Sequence, residues 1–150
     1  MRIFLDTSIF VTACASEIGG SRYLFTVAQR DPTFQLVTNS YAMIEAKRNV
    51  LNKLPLTAHI LNELITANKL LVMQDPPELL TRLAARRINS KDAPILAGAI
   101  FAQSDVLCTL DKKDFHTPAI KKWCSAFSLS VLYPGDLLEE WKKNKRSGLI

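Results

Sequence analysis

The sequence predicts an α/β fold: a mostly parallel sheet of about five short strands with helices on both faces, in three α/β/α layers. Two observations carry the prediction. The strand candidates are short, apolar and non-alternating, as expected of strands buried on both faces. Segments with helical spacing of apolar residues stand between them, which is what parallel neighbours require.

Taken in order, Arg2 to Leu5 reads as a first strand, and Ile9 to Ala15 as a helix broken by Gly19-Gly20. Ser21 is placed to cap a second helix through Ala28. Asp31-Pro32 signals a turn, followed by a strand over Phe34 to Val37. Asn39 or Ser40 can cap a helix carrying Ile44, Val50 and Leu51, and Thr57 opens another to about Asn68. Leu70 to Met73 is a third strand closed by Asp75-Pro76-Pro77, and Glu78 to Arg87 is helical. Ser90 is a suitable N-cap for a helix over Asp92 to Gln103, with Ile95, Leu96, Ala99 and Ile100 on its apolar side. Val106 to Leu110 is the fourth strand, and Thr117-Pro118 starts a short helix to Cys124. Leu129 to Leu132 is the fifth strand, and Pro134-Gly135-Asp136 leads into a lysine-rich helix whose basic end frays from about Lys142.

The size, 150 residues, is that of one domain with a core of its own, and 48% hydrophobic residues exclude a disordered chain. Residues 1 to 150 therefore read as a single domain. Asp6 interrupts the first apolar run at once, so the N-terminus is not a signal peptide, and no stretch approaches the length of a membrane helix. A soluble, cytoplasmic protein with no membrane partner is expected. Cys14, Cys108 and Cys124 share no CxxC spacing, and His59 and His116 lack a zincin spacing, which argues against a disulfide framework or zinc. His59 reads as an exposed helical residue and His116 as a loop residue.

The net charge is +5. Most of its cations fall at Lys47/Arg48, Arg82/Arg86/Arg87/Lys91, Lys112/Lys113, Lys121/Lys122 and Lys142/Lys143/Lys145/Arg146. If a few acids share one pocket, the remaining surface is more basic still, as suits a polyanionic partner.

The acids fall where sites form in open α/β sheets, at the carboxyl ends of strands. Asp6 follows the first strand and Asp111 the fourth, with Asp114 three residues on. Asp92 lies in the first turn of a helix, and Glu45 about two turns into the helix after the second strand. Each has a purely structural reading: Asp6 as a helix cap, Glu45 as an i, i+3 partner of Arg48, Asp92 as a complement to the helix dipole, Asp111 and Asp114 as turn residues. Jointly they suggest a carboxylate cluster, which stays ionised only with a compensating cation. Oxygen-only ligands favour Mg²⁺ or Mn²⁺ over zinc, and such an ion suits phosphodiester hydrolysis.

The motifs "FLDTS", "NSYAMIEAKRNV", "SKDAPILAGAI" and "TLDKKDF", in that order over nearly the whole chain, resemble those of the PIN-domain ribonucleases. That family includes the VapC-type toxins of prokaryotic toxin–antitoxin pairs. The resemblance implies a PIN-like sandwich and a metal-dependent endoribonuclease that leaves a 5′-phosphate and a 3′-hydroxyl. It implies Asp6, Glu45, Asp92 and Asp111 as the catalytic, metal-binding set, with Asp114 a fifth ligand position that in such motifs often supports instead. It implies that Thr7, Ser8 and Thr109 hydrogen-bond the carboxylates, although Ser8 stands where the family often has asparagine. Lys91, Lys112 and Lys113 are electrostatic candidates for holding RNA. Glu45 or Asp92 is the candidate to orient or deprotonate the attacking water. An antitoxin and a second copy of the chain are the implied protein partners.

Two other readings share these motifs: a free-standing RNA-processing nuclease, and a PIN-like module that binds RNA or protein without cutting. Haloacid-dehalogenase-like phosphatases need an acid two residues after Asp6, where this chain has Ser8. Receiver domains need an adjacent acidic pair near the N-terminus, which is absent.

Overall fold

The computed structural model describes residues 1–149. Among them, five strands form one parallel sheet: β1 (Arg2–Leu5), β2 (Gln35–Asn39), β3 (Leu71–Met73), β4 (Val106–Cys108) and β5 (Ser130–Leu132), in spatial order β3-β2-β1-β4-β5. The helices are α1 (Thr7–Ala15), α2 (Gly20–Arg30), α3 (Ser40–Lys53), α4 (Ala58–Ala67), α5 (Glu78–Ala85), α6 (Ala93–Phe101), α7 (Pro118–Ser125) and α8 (Pro134–Arg146). A single 3₁₀ turn, Pro55–Thr57, joins α3 to α4.

Alternate residues of β1 supply two cores. Ile3 and Leu5 pack with Phe10, Leu24, Phe25, Leu61 and Leu137, the layer of α1, α2, α4 and α8. Phe4 faces the other way, onto Ile95, Leu96, Ala99, Phe115 and Ile120 of α6 and the segment through α7. The expected three-layer α/β/α arrangement is therefore the observed one.

Several boundaries differ from the sequence reading. Ser21 does not cap α2, which starts at Gly20; its hydroxyl meets that of Thr12 at 2.7 Å. Strand β2 runs on to Asn39, whose side chain then accepts from Ala42 N–H and caps α3. Strand β4 stops at Cys108 instead of Leu110, because the next backbone groups are claimed by side chains: Thr109 C=O by His116 and Leu110 N–H by Ser8. The basic run after Lys142 is helical through Arg146, with the Lys145 ammonium 5.0 Å from the Trp141 ring centre. No helix among the described residues is long and apolar enough to cross a membrane.

Candidate functional site

Parallel strands all end at one edge of the sheet, and the site is built there. In the β1–β4 register Leu5 lies opposite Cys108, and Asp6 N–H continues the ladder to Cys108 C=O at 3.1 Å. Asp6 and Thr109 therefore leave adjacent strands side by side. The Thr109 hydroxyl donates to Asp6 Oδ2 at 2.7 Å, and the Ser8 hydroxyl donates to the same oxygen at 2.8 Å. Both hydroxyls also accept: Thr109 Oγ1 from Asp111 N–H at 3.1 Å, and Ser8 Oγ from Leu110 N–H at 3.1 Å. One carboxylate thus fixes the loop that carries Asp111. Thr7, expected to support the acids in the same way, does not. It is the first residue of α1, and its hydroxyl reaches Ala42 C=O instead, at 3.4 Å.

Helix α6 brings the next acid. Asp92 occupies its N-cap position but makes no side-chain cap bond. Asn89, rather than Ser90, holds it: Asn89 Nδ2 donates to Asp92 Oδ2 at 2.6 Å, and Asp92 N–H donates to Asn89 Oδ1 at 3.0 Å. The helix can lie this close because of Gly98. A Cβ there would stand 2.4 Å from Asn39 Nδ2 and 3.0 Å from Phe4 Cζ. Asn39 in turn donates from Nδ2 to Pro94 C=O at 3.0 Å, tying the cap of α3 to the start of α6.

One ligand oxygen each from Asp92, Asp111 and Asp114 lies within 4.8 Å of the others. Asp111 Oδ1 also accepts from Asp114 N–H at 3.0 Å, so its turn-forming role is real and coexists with membership of the trio. Asp6, Glu45, Asp92 and Asp111 line one open cleft of about 340 Å³, together with Ser8 and Lys91. Asp114, the subsidiary acid of the sequence reading, is thus a full member of the tight trio, whereas Asp6 and Glu45 join it as walls of the cleft.

Asp92, at the N-cap of α6, keeps its place as a complement to the helix dipole, but two of the other structural readings are not met. Asp6 makes no side-chain cap bond to α1. The sole ion pair among the described residues is Arg82–Glu78, so Glu45 does not pair with Arg48. Burial pushes the Asp6 carboxyl up, against the pull of the Thr109 and Ser8 hydroxyls. Burial likewise raises Glu45, with Lys91 opposing and Asp6 adding to the effect. It raises Asp92 too, where the Asn89 bond opposes and the charges of Asp111, Asp6 and Asp114 add. These acids crowd one another in a desolvated setting.

Of the three lysines expected to hold RNA, only Lys91 lines the cleft. Lys113 borders a neighbouring basin, and Lys112 is exposed and lines neither. Sequence reasoning missed Asn49 and Lys53, which line the cleft one and two turns along α3 from Glu45. Their i+4 and i+8 spacing from Glu45 was the available signal. It also missed His116, for which no local signal exists. Its Nε2 lies 2.8 Å from Thr109 C=O, an acceptor only, so Nε2 carries the proton. The ring stacks on Tyr133 with centroids 3.6 Å apart at 9°, clamping the far end of the loop that bears Asp111 and Asp114.

No family model matches the chain, and no curated protein matches it in sequence. Solved structures do. A chain of the VapBC2 assembly of Rickettsia felis, bound to a DNA fragment from their promoter, superposes with a TM-score of 0.63 at 16% identity, over 88% of this chain and 99% of that one. A chain of VapBC-1 from nontypeable Haemophilus influenzae gives 0.55 at 16% identity, over 90% and 99%. A chain of FitAcB from Neisseria gonorrhoeae gives 0.54 at 17% identity, over 88% and 97%. Similarity at this level of identity speaks to architecture, and it shows that the chain has the PIN-like α/β/α fold along nearly its whole length.

Proposed function

We propose that the chain is a metal-dependent endoribonuclease and the toxin of a type II toxin–antitoxin pair. The observation that carries this is the convergence of Asp6, Glu45, Asp92, Asp111 and Asp114 from four separate parts of the chain onto one edge of the sheet. The VapBC and FitAcB assemblies that share the fold support a protein antitoxin as partner. A second copy of the chain is the other proposed partner.

The donor set fits a hard divalent cation. The groups on offer are carboxylate oxygens, and neither Cys nor His belongs to the trio, as suits Mg²⁺ or Mn²⁺. Asp92, Asp111 and Asp114 would hold the ion, with Asp6 and Glu45 beside them. When bound, a divalent cation polarises the scissile phosphodiester, lowers the pKa of water and stabilises the leaving oxygen.

The chain's own groups divide the remaining work. Asp6, buried and held by two hydroxyls, would set its negative charge against the cation as well as orient the loop after β4. Glu45 and Asp92 are only partly buried and sit above the usual carboxylate range, as a group that takes a proton from the attacking water should. Lys91 offers a charge to a flanking phosphate. Ser8 is spent between Asp6 and Leu110, and all three cysteines are buried, so direct attack by water is the consistent route, with the 5′-phosphate and 3′-hydroxyl products that the family resemblance implies.

The test is cleavage of an end-labelled RNA with Mg²⁺ or Mn²⁺, comparing wild type, wild type with EDTA, and Asp6→Asn. Cutting should require the metal and fall more than about 100-fold in a folded Asp6→Asn protein, beyond what loss of a merely supporting group costs a metal site. Equal cutting by the variant contradicts the reading. No cutting of any RNA by wild type, with no divalent binding, favours the binding-module reading.

A further inference from the structure

Beside the acidic cleft lies a second open basin of about 380 Å³, bordered by Arg86, Arg87 and Lys113. Two further lining residues connect it to the site. Asn89 is the residue that holds Asp92, and Asp114 belongs to the carboxylate trio. A ligand seated in this basin therefore lies against the same groups that gather the acids.

The charge balance separates this basin from the one on the other side of the cleft. There, Arg48 and Lys91 face Glu45 and Asp75, two cations against two acids. Here, three cations face Asp114 alone, and that carboxylate is shared with Asp92 and Asp111. None of the three cations is in an ion pair among the described residues. The Arg87 guanidinium lies 5.9 Å from the Trp123 ring centre, and Trp123 packs edge-on against Phe127 at 5.1 Å, so this cation is held in place. Arg86 and Lys113 are exposed. Cations gathered in a concave site without internal partners suit a phosphodiester anion, which guanidinium groups bind through paired N–H donors.

We propose that this basin is a phosphate-binding subsite for single-stranded RNA, taking a backbone phosphate that flanks the one cut in the acidic cleft. The inference rests on the nuclease reading for the word "cut", but not for the binding itself. RNA would then cross the carboxyl edge of the sheet from the Arg86–Arg87–Lys113 basin over the acids towards Lys91.

The test measures binding separately from cutting. The full chain carrying Asp6→Asn is titrated against a 5′-labelled RNA of about 12 nucleotides, within the usual site sizes for single strands, by fluorescence anisotropy with Mg²⁺ held constant. The salt concentration is varied. Adding Arg86→Ala and Lys113→Ala should weaken binding and make the plot of log affinity against log salt shallower by about 0.7, the loss of one phosphate contact. Arg86→Lys in place of Arg86→Ala, which keeps that charge, should restore part of the slope. Arg30→Ala with Lys143→Ala removes the same net charge from exposed sites on α2 and α8 and should leave the slope unchanged. An unchanged slope in the Arg86/Lys113 variant, or an equal change in the Arg30/Lys143 variant, overturns the subsite. The cleavage assay separates the two failures. RNA binding that depends on the basin, in a protein that cuts nothing, would keep the subsite and remove the nuclease.

Discussion

At the amino edge of the sheet, Asp31 accepts from the Thr33 hydroxyl at 2.6 Å, from Thr33 N–H at 3.0 Å and from the Trp141 indole at 2.8 Å. Asp105 there accepts from Arg2 N–H at 2.7 Å. At the carboxyl edge, Asp6 and Asp92 are buried wholly or in part and face other acids. The contrast appears in their ionisation: the donors around Asp31 hold it below the ordinary carboxylate range, whereas burial lifts Asp6, Glu45 and Asp92 above it. One edge uses acids to fasten turns. The other gathers acids at a cost to the folded state, a pattern that functional sites share.

The largest way to break the contrast is to push α6 off the sheet. Gly98→Ala places a methyl against the buried Asn39 amide and Phe4. Helix propensity gains about 1 kcal/mol from the change. Overpacking costs about 1–3 kcal/mol, and disturbing the Asn39 bonds to Ala42 and Pro94 costs about 1–3 more. A net loss of about 1–5 kcal/mol, read from the urea midpoint, is expected. Wild-type stability would show that α6 is not held by this contact.

A smaller effect sharpens the contrast because its sign differs between the edges. Asp6→Asn keeps an oxygen for the Ser8 and Thr109 hydroxyls and removes a desolvated charge. Without divalent metal it should stabilise the protein at pH 7 by roughly 0.5–2 kcal/mol. The folded state binds this proton more tightly than the unfolded chain, so the cost of the charge is present above the raised folded pKa. It disappears below the ordinary value of 3.8, and the advantage of Asn should shrink as pH falls through that window. Asp31→Asn should instead destabilise by about 1 kcal/mol at pH 7, since it weakens charge-assisted bonds. Its folded pKa is depressed, so the wild-type benefit is present above 3.8 and is lost as pH falls below it. Thermal melts of the three proteins between pH 3 and 7 check both signs, and equal shifts at the two edges would contradict the comparison.

How much of this could be read from the chain follows from how local each signal is. Asp6 and Asp111 each end an apolar run, so their place at the sheet edge was legible, as were the caps Asn39 and Thr117, which accept from residues three further on. Asn89 was obscured by Ser90, a good cap by composition; only the fold shows which side chain meets Asp92. Gly98 reads as a weak point within α6 until Asn39, 59 positions earlier, is seen beside it. His116 and the Arg86–Arg87–Lys113 basin likewise depend on contacts between distant segments. Thr7 shows the opposite error: the family resemblance implied hydroxyl support for the acid, but the start of α1 turns its hydroxyl towards α3.

The most direct test of the central claim, that the carboxyl edge is a divalent-cation site, is a calorimetric titration of Mn²⁺ into wild type and Asp92→Asn. Wild type should bind, and Asp92→Asn should bind at least about tenfold more weakly. Absence of binding to wild type, or equal affinity in the variant, would contradict it.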